Sequence, residues 1–291
     1  MFKNKKNFAT CVNRISLIGD TVVSLAVLGY MRKLYPDCYN TLSIAKKCSQ
    51  SIPLFVQHPF IDKIHVNEFL ENPKQEEYNF LKSHDIWASP TINHKISDWQ
   101  NYYSIYEENF EMLGIDSKKL PKENLDVNLV KWFDIKQREN KTVALFPFAG
   151  YAKDNKRSCS INWWIEFIKR LIKEDYIVIH LGHFDEPSFY YLSSEIARSN
   201  KYFNFTSEEF FNQIKTALSC SVSLNSDSGT GLIMGAYSFP QVTLLTNWNL
   251  GHNRNFLSLQ PNNKNNISIF REDSCDNIEY DQVVEAIKLL V

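Results

Sequence analysis

Apolar residues fall along this chain in short continuous runs, and the stretches between them carry apolar residues at helical spacing. Residues 14–18, 41–45, 63–66 and 85–88 in the first half read as strands, as do 142–146, 176–181, 221–224 and 242–245 in the second. A short run that is apolar throughout is the pattern of a strand buried on both faces. Helical periodicity fills residues 21–34, 46–57, 102–113, 161–174, 187–199, 207–217, 232–237 and 281–290. Tyr35-Pro36-Asp37 stops the first of these, because proline cannot continue a helix; Pro53 interrupts the second. Strands alternating with helices predict an α/β fold with parallel sheets and right-handed crossovers. The polar segment 118–140, with Pro121, reads as the connection between two domains. The pattern therefore predicts doubly wound, Rossmann-like domains at residues 1–130 and 141–275, with sheets facing a central cleft. A last helix within 276–291 is expected to fold back at the junction.

Composition narrows the function classes. The 291 residues are enough for two cores of ordinary size. With 32 basic and 33 acidic residues the formal charge is −1, so no global field favours nucleic acid. The six cysteines are scattered without a C-x-x-C pair, the usage of reduced thiols in a cytoplasmic protein. The basic start, with Lys3, Lys5 and Lys6, precedes no signal-peptide apolar core. Residues 22–31 are too short an apolar run to span a bilayer. At most a peripheral contact with the inner membrane surface is expected. His180 and His183 have no third metal ligand nearby in sequence, and turn or nucleotide contacts are the expected role for them. Trp163 and Trp164 read as packing residues. No G-x-G-x-x-G follows the first strand and no G-x-S-x-G occurs, which disfavours a dehydrogenase and a serine hydrolase.

Candidate chemistry concentrates where the strand at 221–224 hands over to a helix. The turn there holds Asp227, Ser228, Gly229, Thr230 and Gly231. The first amides of a helix have no internal acceptor and the helix dipole presents positive charge there. Glycines let an anion come close to that backbone, so the turn is a candidate phosphate cradle; an ordinary turn capped by Asp227 or Ser228 is the alternative. A second turn after a strand, 147–150 with Gly150, offers its backbone in the same way. It leads into a basic loop with Lys153, Lys156 and Arg157.

Three blocks, in order, give the chain a resemblance to a known family. The first is Arg14-Ile-Ser-Leu-Ile-Gly19-Asp20, a helix ending at Tyr35-Pro36-Asp37, then Pro59-Phe-Ile-Asp62. The second is Leu145-Phe-Pro147-Phe-Ala-Gly150, the basic loop, and Trp163-Trp164 with its helix. The third is Asn225-Ser-Asp227-Ser-Gly229, with Pro240 thirteen residues beyond Asp227. Together they resemble the ADP-heptose:lipopolysaccharide heptosyltransferases of glycosyltransferase family nine. Three departures stand out. Leu232 occupies the family's usual histidine position, Phe148-Ala-Gly150 replaces a shorter P-G turn, and Cys159 stands where tryptophan is usual.

The resemblance implies a GT-B fold and inverting transfer of a heptose or related sugar from a nucleotide-diphosphate donor, ADP-linked in the family. The implied acceptor is a lipopolysaccharide or other glycan, lipid-linked or free. It implies Asp20 as the base that takes the acceptor proton, although capping the following helix would suit Asp20 equally. It also implies donor contacts from Lys156 or Arg157 and from the 227–231 turn. No D-x-D motif occurs, so neither metal nor other cofactor is expected. Weaker candidates are Asp185 and Glu186 for a ribose and His252 and Arg254 for donor or acceptor. Two other readings remain: a GT-B-like sugar-nucleotide epimerase or hydrolase, and a non-catalytic sugar-nucleotide-binding protein.

Overall fold

The computed structural model describes residues 7–11, 18, 21–22, 25, 28–29, 31–32, 35–68, 73–88, 141–149, 157–246 and 265–291. Two compact units divide the chain: Met1–Trp132 with Leu259–Pro261, and Phe133–Ser258 with Asn262–Val291. The helix expected at 102–113 and the linker expected at 118–140 lie outside the described residues.

The first unit holds a parallel sheet of order β3-β2-β1-β4, built from β1 (Asn7–Cys11), β2 (Tyr39–Ala45), β3 (Lys63–Asn67) and β4 (Ile86–Ala88). The opening strand therefore precedes the 14–18 segment expected to form it, and Ile18 is already helical. Pairing decides this: Asn7–Cys11 lies in register with Tyr39–Ser43 on one side and, from Phe8 to Thr10, with Ile86–Ala88 on the other. Two flanking strands supply every ladder bond that its mixed composition does not advertise. Lys46–Leu54 is a 3-10 helix with Pro53 inside, in place of the α-helix expected at 46–57. α1 spans Pro73–Lys82.

The Pro59–Asp62 motif is architectural. Asp62 accepts the Asn40 N–H at 2.7 Å and pairs with Arg32 at 2.5 Å. The Asn40 amide donates to Leu28 O and Phe60 O. A Cβ on Gly29 would stand 2.7 Å from the Phe60 ring. This turn thus fastens the first helical segment to β2, which explains a fixed P-x-I-D spacing without invoking substrate.

The second unit is a six-stranded parallel sheet of order β10-β9-β8-β5-β6-β7. Its strands are β5 (Thr142–Phe146), β6 (Ile177–His180), β7 (Tyr202–Asn204), β8 (Val222–Ser226), β9 (Gln241–Thr246) and β10 (Asn266–Arg271). Counted within the unit this is 3-2-1-4-5-6 read from β7, the doubly wound order in which the chain reverses direction between its first and fourth strands, here β5 and β8. β7 and β10 were not apparent in the sequence. They are edge strands, one of them three residues long and the other half polar.

α2 (Ile161–Lys173) starts at Ser160, whose hydroxyl accepts the Trp163 N–H. Trp163, Trp164, Phe167, Ile168 and Leu171 form its buried face. The Trp163 indole donates to Ile278 O, tying α2 to the C-terminal segment. Neither tryptophan is a stacking platform for ligand, as expected. The helix expected at 187–199 is two single turns, α3 (Phe189–Leu192) and α4 (Ser194–Ala197). Ser193 is extended between them, and its hydroxyl caps the second. α5 (Phe210–Leu218), α6 (Gly229–Ala236) and α7 (Tyr280–Lys288) follow. α7 buries Val283, Val284, Ala286 and Ile287 in the core of its own unit. Among the described residues no helix is long and apolar enough to cross a membrane.

Candidate functional site

β8 is buried along its length and ends at Ser226, which places the following turn at the carboxyl edge of the sheet. Ser228 takes the N-cap position of α6 with φ −142° and ψ 165°. The helix thus begins three residues earlier than the expected Leu232, and Gly229, Thr230 and Gly231 form its first turn. Ser228 makes no side-chain cap hydrogen bond; its Oγ lies 2.7 Å from Thr230 Oγ1. The two hydroxyls form a pair at the amino end of the helix, where the dipole favours an anion. Asp227 to Thr230 are half-buried and Gly231 is buried. Leu232, at the resembled family's histidine position, is half-buried.

Asn225 is structural. It is fully buried, its Nδ2 donates to Ser223 Oγ and Gln241 Oε1, and it sits beneath Gly231, where an added Cβ would meet Asn225 Cβ at 3.5 Å.

The turn after β5 lies beside the turn after β8, since Phe146 pairs with Asn225 across the two strands. The buried Ser226 hydroxyl donates to Pro147 O at 2.6 Å and locks the turns together. The Ser158 hydroxyl in turn accepts the Ala149 N–H at 2.9 Å, tying Ser158 to the Pro147 turn. Arg157, half-buried, is next in chain to that anchor. Asp20, Gly150 and Lys156, together with His252 and Arg254, lie outside the described residues. Among the described residues, what is brought together is the Pro147 turn with its Ser158 anchor and Asp227 to Gly231, at the point where the strand order reverses, the place where doubly wound sheets bind ligand.

Of the turn or nucleotide contacts expected of the HLGH segment, the structure shows turn contacts. His180 ends β6 fully buried, with Nδ1 2.9 Å from the Tyr202 hydroxyl and Nε2 3.1 Å from Glu186 Oε2. In the tautomer whose Nε2 donates to the carboxylate, Nδ1 accepts from the tyrosine. The Tyr202 oxygen also accepts the Phe189 N–H, and burial pushes its hydroxyl up to about 12, so it stays a donor. Glu186 Oε1 accepts the His183 N–H at 2.9 Å. Both histidine nitrogens and both glutamate oxygens are thus committed within the protein, which takes His180 and Glu186 away from metal and ribose. Among the described residues no three His, Cys, Asp or Glu side chains are grouped so as to hold a metal ion.

Two positioning residues carried little or no sequence signal. Gln213, buried on α5, accepts the Gly182 N–H at 2.7 Å and donates to the carbonyls of Gly182 and Glu208, holding the β6 turn to the β7 turn. A polar side chain within the apolar stripe of Ile214, Ala217 and Leu218 was the available clue. Ser226 offered none. Gly182 has φ +142°, and a Cβ there would stand 2.5 Å from both Glu186 oxygens. Gly182→Ala is expected to expel that carboxylate and strand the buried His180, at a cost of about 2–4 kcal/mol, read as a lower urea midpoint.

No family model matches the sequence, and no curated protein does. Solved structures match over nearly the whole chain. A glycosyl transferase family 9 protein from Veillonella parvula DSM 2008 has a TM-score of 0.70 at 13% identity, covering 98% of this chain and 97% of its own. E. coli ADP-heptose lps heptosyltransferase II gives 0.64 at 14%, covering 98% of each chain. An E. coli heptosyltransferase solved with ADP gives 0.67 at 11%, covering 98% of this chain and 100% of its own. The fold is that of these glycosyltransferases.

Proposed function

We propose that this chain, with the fold of the family 9 glycosyltransferases, transfers a sugar from a nucleotide-diphosphate donor to a glycan acceptor, with inversion and without a metal. The observation that supports it is the pairing of two turns at the strand-order reversal of the C-terminal unit. Ser226 bolts the Pro147 turn to the amino end of α6, where the Ser228–Thr230 hydroxyl pair is not spent on capping. A departing diphosphate needs donors fixed before the bond breaks, and helix amides with two hydroxyls are donors of that kind. Arg157, or Lys156 beside it, adds the cation. The donor is an ADP-sugar, as in the ADP-heptose enzyme of the same fold. Asp20, which lies between β1 and Thr21 in the sequence, is the base for the acceptor hydroxyl. The acceptor is a lipopolysaccharide-type glycan, met at the cytoplasmic membrane surface through the basic amino terminus.

A thermal-shift series with ADP, UDP, GDP and CMP tests the donor reading. A nucleotide at roughly a hundredfold excess over its Kd contributes about 2.7 kcal/mol, on the order of 5 °C or more for a unit of this size. ADP is expected to give that shift and the other three much less. Transfer measured as ADP release is expected to be unchanged by EDTA. Equal shifts with all four, or none with any, would remove the donor assignment; loss of turnover in EDTA would remove the metal-free step.

A further inference from the structure

We infer a second carbohydrate site on the C-terminal unit, at the β7 edge of its sheet, which takes one neutral pyranose ring. A cavity of about 280 Å³ opens there between α3 and the residues following β7. Ser188, Tyr190, Tyr191 and Tyr202 bound it, and Asn204, Thr206 and Ser207 complete the lining. That volume lies just under the roughly 300–1,000 Å³ of drug-sized ligand cavities, which is room for a single ring.

The lining decides the class of ligand. Tyr190 is 42% and Tyr191 86% exposed, on a helix of one turn whose buried residue is Phe189. Their centroids are 5.4 Å apart at 87°, so one ring presents a face where the other presents an edge. Tyrosines held open to water in this way supply an apolar platform with a polar rim. The floor is rigid, because the Tyr202 hydroxyl is fixed by His180 and Phe189. Asn204 Oδ1 accepts both the backbone N–H and the hydroxyl of Thr206, which sets the amide so that Nδ2 is the outward donor. Among the described residues Nδ2 has no acceptor. No Asp, Glu, Lys, Arg or His lines the cavity. A phosphate or carboxylate would find no counter-charge there, whereas a pyranose brings an apolar C–H face for the tyrosines and hydroxyls for Asn204 and Ser207. Three strand spacings, roughly 14 Å, separate β7 from β8, so this site is distinct from the donor turn and holds a sugar that does not react. It goes beyond the transferase reading and stands on this lining alone.

Saturation-transfer NMR on the full chain with methyl α-D-glucopyranoside, methyl β-D-galactopyranoside and methyl α-D-mannopyranoside tests it. At least one glycoside is expected to bind with a millimolar Kd. Tyr191→Ala, at a position too exposed to threaten the fold, is expected to weaken that binding roughly tenfold or more, and Tyr190→Ala similarly. The ADP thermal shift serves as the independent readout. Lost glycoside binding with an intact ADP shift supports the site, while glycoside binding without any ADP shift supports it and removes the donor reading. Absence of saturation transfer at tens of millimolar overturns the proposal. So does binding that both tyrosine variants retain, or a dimer that Tyr191→Ala dissociates with no glycoside effect.

Discussion

Asp20→Asn is expected to lower sugar transfer by roughly 10²–10⁴-fold while ADP affinity stays within about twofold of the parent protein. Asparagine keeps the size and much of the hydrogen bonding of aspartate but cannot take a proton from the acceptor hydroxyl. Two features motivate the choice. In the sequence Asp20 lies in the connection that follows β1, the strand at which the order 3-2-1-4 reverses in the first unit, and connections of that kind carry ligand sites in doubly wound sheets. It is also the residue that matches the aspartate of the family's G-D turn. The measurement is ADP release with a lipopolysaccharide-core acceptor, alongside calorimetric titration with ADP. An undiminished rate would remove Asp20 as the base. Lost ADP affinity would move it into the donor site instead.

Trp164→Ala is expected to destabilise the C-terminal unit by about 3–5 kcal/mol, the range for truncating a large buried aromatic. Trp164 is fully buried in the layer where α2 meets the sheet and α7. Its ring stands edge-to-face with Trp163 at 4.9 Å and near Phe167 at 6.3 Å, so truncation opens a cavity bounded by rings that cannot collapse into it. Among the described residues its Nε1 has no acceptor, so Trp164→Phe loses volume but no hydrogen bond and should cost clearly less. Urea unfolding followed through the remaining tryptophans reads both. A midpoint unchanged by the alanine would mean that this layer contributes little to the unit's stability.

The contrast between the two halves of the site shows how sequence and structure divide the information. The D-S-G-T-G turn was legible because small residues and hydroxyls cluster where an apolar strand gives way to a helix, although Ser228 as cap residue starts that helix three residues before the apolar pattern does. The Trp163–Leu171 face was legible from its spacing alone. In the sequence, by contrast, Glu186 read as a ribose contact and His180 as a turn or nucleotide contact. Burial beside Tyr202, whose place depends on an edge strand too short to recognise, turned them into a closed hydrogen-bond chain. Pro59–Asp62 was legible as a motif while its purpose was not, because Arg32 and Asn40 reach it from other elements.

By itself the amino-acid order determined the alternation of strand and helix, the two-part α/β architecture and the turns where backbone amides gather, since each depends on contacts within a few residues. Strand order, the start of the first strand at Asn7, and the meeting of Ser226 with Pro147, 79 positions away, were decided only in three dimensions. Parallel pairing joins segments across whole crossovers, and no local periodicity encodes which neighbour a strand will have.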